Sequence, residues 1–177
     1  MHPVVAVYST FLNRAFDQVL LDVALHKAGV TFVLDRAGIT GDDGASHNGV
    51  WDMAVFQAVP GLSIFAPRDG AALERALQRS VSIEDGPSIV RFPKGALPPV
   101  VPAVRNTDDG LEVLREGRGD VLIFAVGPMA GLALGIADEL EERQISAAVV
   151  DPVCLKPLPS SITQFANSAR IVVTIED

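Results

Sequence analysis

Apolar stretches alternate with segments of helical periodicity along the first half of the chain. Continuous apolar runs rich in β-branched residues predict buried strands at 4–8, 30–34, 62–66 and 88–90. Apolar residues that recur every three or four positions predict helices at 11–28, 50–59 and 69–81. Strands that alternate with helices are typical of an α/β fold built on a parallel sheet.

A second unit of the same kind is predicted in the last third of the chain. Apolar runs predict strands at 121–126, 147–150 and 171–175. Gly127 and Pro128 begin a helix that reaches about Arg143, and a further helix is predicted at 159–169. The spacing of the long apolar residues on the first of these helices predicts that three of them face inward: Leu132, Ile136 and Leu140.

The predicted organisation is a first domain at 1–95, a linker at 96–118 rich in Pro, Gly and charged residues, and a second domain at 119–177. The first domain begins directly on a strand, and three parallel strands make only a small sheet in the second. We therefore expect sheet edges that are poorly covered, and we expect both domains to be cut short at the outer ends.

Composition excludes several classes of protein. With 49% hydrophobic and 20% charged residues and a net charge of −8, the 177-residue chain suits a globular protein without a nucleic-acid partner. No apolar run approaches the ~20 residues that cross a membrane. A single cysteine, Cys154, excludes an internal disulfide and fits a reducing cytoplasm, and we expect it to be a small buried hydrophobe.

Candidate chemistry gathers where the strands of the first domain end. In open α/β sheets, ligands bind beyond the carboxyl ends of the strands. The residues predicted at those ends are Tyr8, Phe11, Arg14, Asp35, Arg36, Asp42, Asp43, His47, Arg91 and Lys94. Cations at such an edge predict an anionic ligand. Three alternatives stay open: the aromatics could be core residues, the acidic pair a turn, and the imidazole a surface group.

Several segments resemble one enzyme family closely. They are 8–18 (YSTFLNRAFDQ), 35–49 (DRAGITGDDGASHNG), 86–95 (GPSIVRFPKG) and 173–177 (VTIED). These sequences are similar to those of 1-deoxy-D-xylulose 5-phosphate synthases, which are thiamine-diphosphate enzymes of the transketolase superfamily. The resemblance runs through nearly the whole chain. It implies most of a transketolase pyrimidine-binding domain followed by the first part of a transketolase C-terminal domain.

The resemblance also implies an activity. The family condenses pyruvate with glyceraldehyde 3-phosphate, releases carbon dioxide, and makes 1-deoxy-D-xylulose 5-phosphate for isoprenoid and thiamine synthesis. Its cofactors are thiamine diphosphate and Mg²⁺, and its members are transferases that assemble as homodimers in the cytoplasm. A homo-oligomer is therefore expected here if the chain is folded, because exposed apolar surfaces seek partners.

Roles follow residue by residue from the resemblance. Phe11 would stack on the aminopyrimidine ring of the cofactor, and Tyr8 and Arg14 would line the same wall. Arg36 and Lys94 would hold the phosphate of the acceptor substrate. Many family members have arginine where Lys94 stands. An arginine can bind a phosphate with two parallel hydrogen bonds, whereas the lysine ammonium acts as a point charge.

The remaining roles are catalytic. By the same resemblance, Asp43 and His47 would hydrogen-bond substrate hydroxyls, and the imidazole could move protons.

Two departures from the family pattern bear on activity. The chain does not contain the family's Glu-Gln-His segment with its catalytic glutamate, or the Gly-Asp-Gly…Asn motif that holds magnesium. The segment at 41–44 (GDDG) lacks that spacing, so no metal ligands are assigned. We expect the chain alone to bind the cofactor poorly and to be inactive. The alternatives are a self-associating α/β module without catalytic activity, or the β-type chain of another thiamine-diphosphate enzyme.

Overall fold

The computed structural model describes residues 1–177 and contains two five-stranded sheets. The strands in chain order are β1 (Val4–Tyr8), β2 (Val30–Asp35), β3 (Ser63–Phe65), β4 (Pro87–Arg91), β5 (Arg105–Asn106), β6 (Glu112–Arg115), β7 (Val121–Ala125), β8 (Ala147–Asp151), β9 (Cys154–Lys156) and β10 (Ile171–Ile175). The α-helices are α1 (Ser9–Leu12), α2 (Asp52–Phe56), α3 (Gly70–Val81), α4 (Ala130–Glu142) and α5 (Ile162–Ser168). The predicted α/β class is confirmed.

The first sheet has the order β1-β2-β4-β3-β9, and its first four strands run parallel. Tyr8 pairs with Asp35 across β1 and β2, and Leu34 pairs with Arg91 across β2 and β4. The carboxyl ends of these three strands therefore meet at one edge of the sheet. That register brings together the candidate residues that follow each strand.

The helical region after β1 is less regular than predicted. A single helix at 11–28 was expected, whereas α1 is followed by a 3₁₀ turn at Asn13–Ala15 and a π-helical segment at Gln18–Ala24. Wider turns close through the bonds from Leu25 N–H to the Leu20 carbonyl and from Ala28 N–H to the Val23 carbonyl. Apolar spacing alone does not distinguish these helix types, since all of them present one apolar face.

The second sheet corrects the predicted linker at 96–118. Its order is β10-β7-β8-β6-β5, so β5 and β6 inside that interval are antiparallel members of the sheet. Leu111, Val113 and Leu114 in or beside β6 are buried, although charged residues surround them. Within the predicted linker, 96–104 is the part that runs from the first sheet to the second. The three strands predicted in this unit, β7, β8 and β10, are parallel as expected.

The buried face of α4 also differs from the prediction. Leu132 is 56% exposed, so its predicted inward position is wrong, while Ile136 and Leu140 are partly buried against the core. The fully buried residues of the helix are Ala130, Ala133 and Ala137. Small side chains let the helix approach the sheet closely, which is why they displace the larger residues from the centre of the contact.

The two units interlock through β9, which follows β8 and pairs antiparallel with β3 of the first sheet. Cys154 in β9 is 4% exposed and free, which confirms the prediction of a buried hydrophobe. Lys156 Nζ donates to the main-chain oxygens of Gln57 and Val59, at 2.6 and 2.5 Å. None of the helices has the length and apolar character required to cross a membrane.

Both outer edge strands expose apolar side chains, as the sequence predicts. Val4 and Val5 of β1 are 55% and 40% exposed, and Ile171 and Val172 of β10 are 53% and 44% exposed. Unpaired edges with apolar side chains are surfaces that pair readily with other chains.

Candidate functional site

Aromatic residues form one wall of the site at the end of β1. The rings of Tyr8 and Phe11 are stacked, with centroids 5.6 Å apart and 19° between their planes. The imidazole of His47 meets the Phe11 ring edge-on at 5.5 Å. Arg14 lies 5.3 Å from the centre of the same ring, and Arg36 lies 4.2 Å from the centre of the Tyr8 ring. The structure thus brings these five predicted residues together.

A charged group continues this wall. Arg36 Nη1 lies 2.5 Å from Oδ2 of Asp43, and Lys94 Nζ lies 2.8 Å from the same oxygen. Lys94 also reaches Asp42 at 3.4 Å, and Asp35 lies 3.9 Å from Arg36. The ammonium of Lys94, through its hydrogen bond, is the largest influence on the pKa of Asp43, which is lowered. Reciprocally, the bond to Asp43 is the largest influence on the pKa of Lys94, which is raised.

The aromatic and charged groups share Arg36, so all seven predicted site residues lie in one contiguous patch: Tyr8, Phe11, Arg14, Arg36, Asp43, His47 and Lys94. Tyr8 and Phe11 are half-buried rather than core residues. The patch combines flat aromatic rings with two cations. That chemistry suits a ligand with a flat heterocycle near an anionic group.

A buried network beneath the patch was missed by the sequence analysis. Ser9 Oγ and Arg91 Nε each donate to Oδ2 of Asp52 at 2.9 Å, and all three residues are at most 3% exposed. Arg91 was expected to face the ligand, but this pairing places it under the site instead. Asp52 was overlooked because a lone acid in the first turn of a short helix is usually exposed to solvent. The network fixes the junction of β1 and α1, from which Phe11 projects.

The segment between β2 and α2 carries Asp43 and His47 and is more ordered than the predicted loop. It contains two 3₁₀ turns, Gly41–Asp43 and Ala45–His47. Its ends are joined by paired main-chain hydrogen bonds between Gly38 and Gly49, at 3.0 and 2.8 Å.

Asp177, two residues beyond the end of β10, also holds this segment. Asp177 Oδ1 accepts a hydrogen bond from Ile39 N–H at 3.0 Å, and Arg91 Nη2 donates to the main-chain oxygen of Asp177 at 3.0 Å. A Cβ on Gly38, which has a φ of 77°, would collide with the Asp177 carboxylate. The second domain therefore contacts the loop that carries site residues of the first.

The residues present fit one part of an organic cofactor better than a metal ion. Phe11 offers a half-buried ring flanked by Arg14 and His47, which is a suitable surface for a flat heterocycle. No three side chains of the His, Cys, Asp or Glu type are arranged so that they could hold a metal ion. The patch can therefore hold a ring and an anion from its own residues.

Comparisons with known proteins define the class to which the chain belongs. Residues 1–100 match the family described as transketolase, pyrimidine binding domain, and residues 109–177 match transketolase, C-terminal domain. The chain therefore belongs to the transketolase family.

Its sequence relatives are more specific. The chain is 56% identical over 178 residues to 1-deoxy-D-xylulose-5-phosphate synthase of Leifsonia xyli subsp. xyli, covering 100% of this chain and 27% of the relative. It is also 56% identical over 180 residues to the synthase of Rhodococcus erythropolis, covering 100% of this chain and 28% of that relative. The chain thus spans little more than a quarter of the length of these relatives.

Solved structures support the same fold. A protein described as a split gene transketolase, inactive beta4 tetramer, superposes with a TM-score of 0.83 at 32% identity, over 99% of this chain and 57% of that one. A Pichia stipitis transketolase in complex with sedoheptulose 7-phosphate superposes with a TM-score of 0.82 at 21% identity, over 98% of this chain and 29% of that one. The second likeness supports the fold alone.

Proposed function

We propose that this chain forms the pyrimidine-binding side of a 1-deoxy-D-xylulose 5-phosphate synthase. The whole enzyme would join pyruvate and glyceraldehyde 3-phosphate, release one carbon dioxide, and make 1-deoxy-D-xylulose 5-phosphate for isoprenoid and thiamine precursor synthesis. The observation that carries the proposal is the contact between the aromatic wall and the cation pair through Arg36. The 56% identity to synthases over the full chain supports this choice of reaction.

In this proposal the aromatic wall binds the cofactor ring. Phe11 stacks on the aminopyrimidine. Tyr8 stacks against Phe11, and the guanidinium of Arg14 lies over the Phe11 ring. Thiamine diphosphate, when bound, supplies the nucleophilic carbon for the reaction. Aromatic pairs add about 0.5–1.5 kcal/mol beyond the area that they bury, so Tyr8 strengthens the platform that Phe11 provides.

The charged group binds the acceptor substrate. Arg36 and Lys94 hold the phosphate of glyceraldehyde 3-phosphate, and Asp43 accepts a hydrogen bond from a substrate hydroxyl. His47, whose Nδ1 lies 3.0 Å from Ser46 Oγ, donates or accepts a proton at the reacting carbonyl oxygen. These residues orient two substrates against one another, which is the main task of a bisubstrate site.

The diphosphate and Mg²⁺ require ligands that the described side chains do not form together, so we propose that these ligands come from another region of the enzyme. We therefore expect no turnover from this chain alone. The structural relative described as an inactive tetramer supports this expectation, because 99% of this chain superposes on it.

A second candidate is the β-type chain of a split thiamine-diphosphate enzyme. The relative encoded by a split gene favours it, at 32% identity. Such a chain would act with a separate α-type partner that carries the diphosphate ligands. The 56% identity to a synthase of which this chain covers 27% favours the first candidate.

Segment replacement tests the proposal. The matching 27% of the Leifsonia xyli synthase is replaced by this chain, and formation of 1-deoxy-D-xylulose 5-phosphate is measured. We expect an active chimera whose activity falls about 5- to 150-fold with Phe11→Ala, since stacking on a ring contributes about 1–3 kcal/mol. An inactive but folded chimera would contradict the proposal. A chimera that transfers ketol groups between sugar phosphates instead would favour a transketolase activity.

A further inference from the structure

The two cations of the proposed phosphate site are already engaged by a carboxylate of the chain itself. Arg36 Nη1 and Lys94 Nζ converge on a single oxygen, Oδ2 of Asp43, at 2.5 and 2.8 Å. Two cationic donors that meet at one oxygen define a site for an anion. The Asp43 carboxylate stands where a phosphate oxygen would be bound.

The charges around the two cations determine how strongly Asp43 opposes phosphate binding. Three carboxylates, on Asp35, Asp42 and Asp43, lie within 4 Å of the two cations. An incoming phosphate dianion therefore meets no excess of positive charge while Asp43 remains in place. Movement of this carboxylate would leave the two cations balanced by two carboxylates instead of outweighed by three, and would free both donors for a phosphate oxygen.

The chain around Asp43 is suited to such a movement. Gly41 and Gly44 flank the acidic pair with φ values of 73° and 83°, and neither has any atom within 4 Å of the position of an added Cβ. The base of the segment is fastened, because Thr40 N–H and Oγ1 both donate to Asn48 Oδ1 at 3.0 Å. The segment therefore combines an open tip flanked by two glycines with a base that is closed by side-chain hydrogen bonds.

We propose that Asp43 is an internal counter-ion that phosphate must displace from Arg36 and Lys94, so that a phosphorylated acceptor releases Asp43 to bind its hydroxyl. The inference rests on the proposed function for its choice of acceptor, but the displacement itself concerns any phosphate. It makes selectivity for phosphorylated substrates a property of the loop as well as of the cations. An acceptor without a phosphate leaves Asp43 bound to the cations, and its hydroxyl has no acceptor.

Calorimetric titration of the whole chain with inorganic phosphate, at one fixed ionic strength, tests this proposal. Asp43→Asn removes the competing charge at nearly constant shape, and we expect it to raise phosphate affinity about tenfold. The matched control is Asp42→Asn, which makes the same change on a side chain that is 95% exposed. We expect the control to change affinity by about twofold or less, as a weakly paired surface charge would.

Two failures are distinguishable. If Lys94→Gln weakens phosphate binding but Asp43→Asn binds no more tightly than the wild type, the counter-ion proposal is wrong and the anion site stands. If no protein binds phosphate, or Lys94→Gln binds as the wild type does, the anion site itself is refuted and the counter-ion proposal with it. Lys94 is exposed, so its substitution does not disturb the core.

A second measurement needs no substitution. Carboxyl carbon NMR follows the ionisation of Asp43 with and without saturating phosphate. The low pKa of Asp43 depends mainly on its bond to Lys94, so displacement predicts a pKa that moves up toward the ordinary value. An unchanged titration in the presence of bound phosphate would overturn the proposal.

Discussion

Arg68 Nη1 lies 2.8 Å from Oδ2 of Asp151, and this ion pair joins the two domains, with side chains that are 3% and 0% exposed. The same nitrogen lies 2.5 Å from Glu112, so β6 and β8 both meet the segment before α3 at one guanidinium. Burial raises the pKa of Asp151 to about 6, against the opposing pull of Arg68, so the carboxylate is still ionised at neutral pH. The contact fixes how the second sheet lies against the first.

Substitution of Arg68 by alanine tests the strength of this contact. The change leaves Asp151 buried without its cation, and we expect the free energy of unfolding to fall by about 3–5 kcal/mol. Urea denaturation at neutral pH measures the loss. The control is Arg118→Ala, because Arg118 is 76% exposed and lies 3.7 Å from Glu141. Its effect should stay within about 0.5 kcal/mol, and equal effects of the two variants would contradict the account.

Asp109 provides a prediction about acid stability. The hydroxyl of Thr107 donates to its carboxylate at 2.6 Å and the Ser161 N–H at 2.7 Å, and these hydrogen bonds, with that of Thr107 largest, lower the pKa of Asp109 far below its usual range. A depressed pKa contributes stability above the unfolded value of about 3.9 that is lost as the pH falls below it. Asp109→Asn should therefore flatten the loss of thermal stability below about pH 4.

The neighbouring Asp108, which is exposed, offers a matched control for that experiment. Melting curves of Asp108→Asn should keep the acid dependence of the wild type. If Asp109→Asn also keeps it, the hydrogen bonds from Thr107 and Ser161 do not stabilise the ionised carboxylate as described.

A lysine at position 94 predicts weak binding of phosphate at the proposed acceptor site. An arginine at this position would grip a phosphate with two parallel bonds, whereas the ammonium acts as a point charge. In the chimera with the Leifsonia xyli synthase, Lys94→Arg should lower the KM for glyceraldehyde 3-phosphate about fivefold and leave that for pyruvate unchanged. Steady-state kinetics with each substrate varied in turn gives both values. Equal changes for the two substrates would argue against a phosphate contact.

Exposed apolar residues on the first domain predict self-association. Leu21, on the π-helical segment, and Leu25, directly after it, are 52% and 70% exposed. Light scattering should show dimers or larger species, and Leu25→Lys should lower the mass. Leu132→Lys, at an apolar position on α4 that is 56% exposed, should not lower it. A soluble wild-type monomer would contradict this prediction.

Seven of the ten strands follow from the sequence because they contain short apolar runs. β4 is buried at every position, which shows the limit of reading strands from apolar patterns. Such a pattern identifies a strand and its ends, but not the strands that pair with it. Strands β5, β6 and β9 were missed, since each is four residues or fewer and lies among charged residues or prolines. Their pairing depends on tertiary contacts that local spacing does not encode.

The sequence predicts where the site residues lie, but not which of them form ion pairs or are buried. Strand ends placed Tyr8, Arg36 and Lys94 on one edge, and the register of β1, β2 and β4 explains why they meet. The ion pairs of Asp43 could not be predicted, because they depend on the path of a glycine-rich loop. Likewise, nothing in the sequence distinguishes the buried Arg91 from the exposed Lys94, three residues later. Only the burial seen in the structure separates Arg91, which supports the site from below, from Lys94, which is exposed.

Titration with thiamine diphosphate and Mg²⁺ tests the central claim most directly. Calorimetry is carried out on this chain alone, and on this chain mixed with the separately expressed remainder of the Leifsonia xyli synthase. The account predicts a binding isotherm only for the mixture, and its loss when the chain carries Phe11→Ala. Tight binding by the chain alone, or binding by the mixture that is indifferent to Phe11, would contradict it.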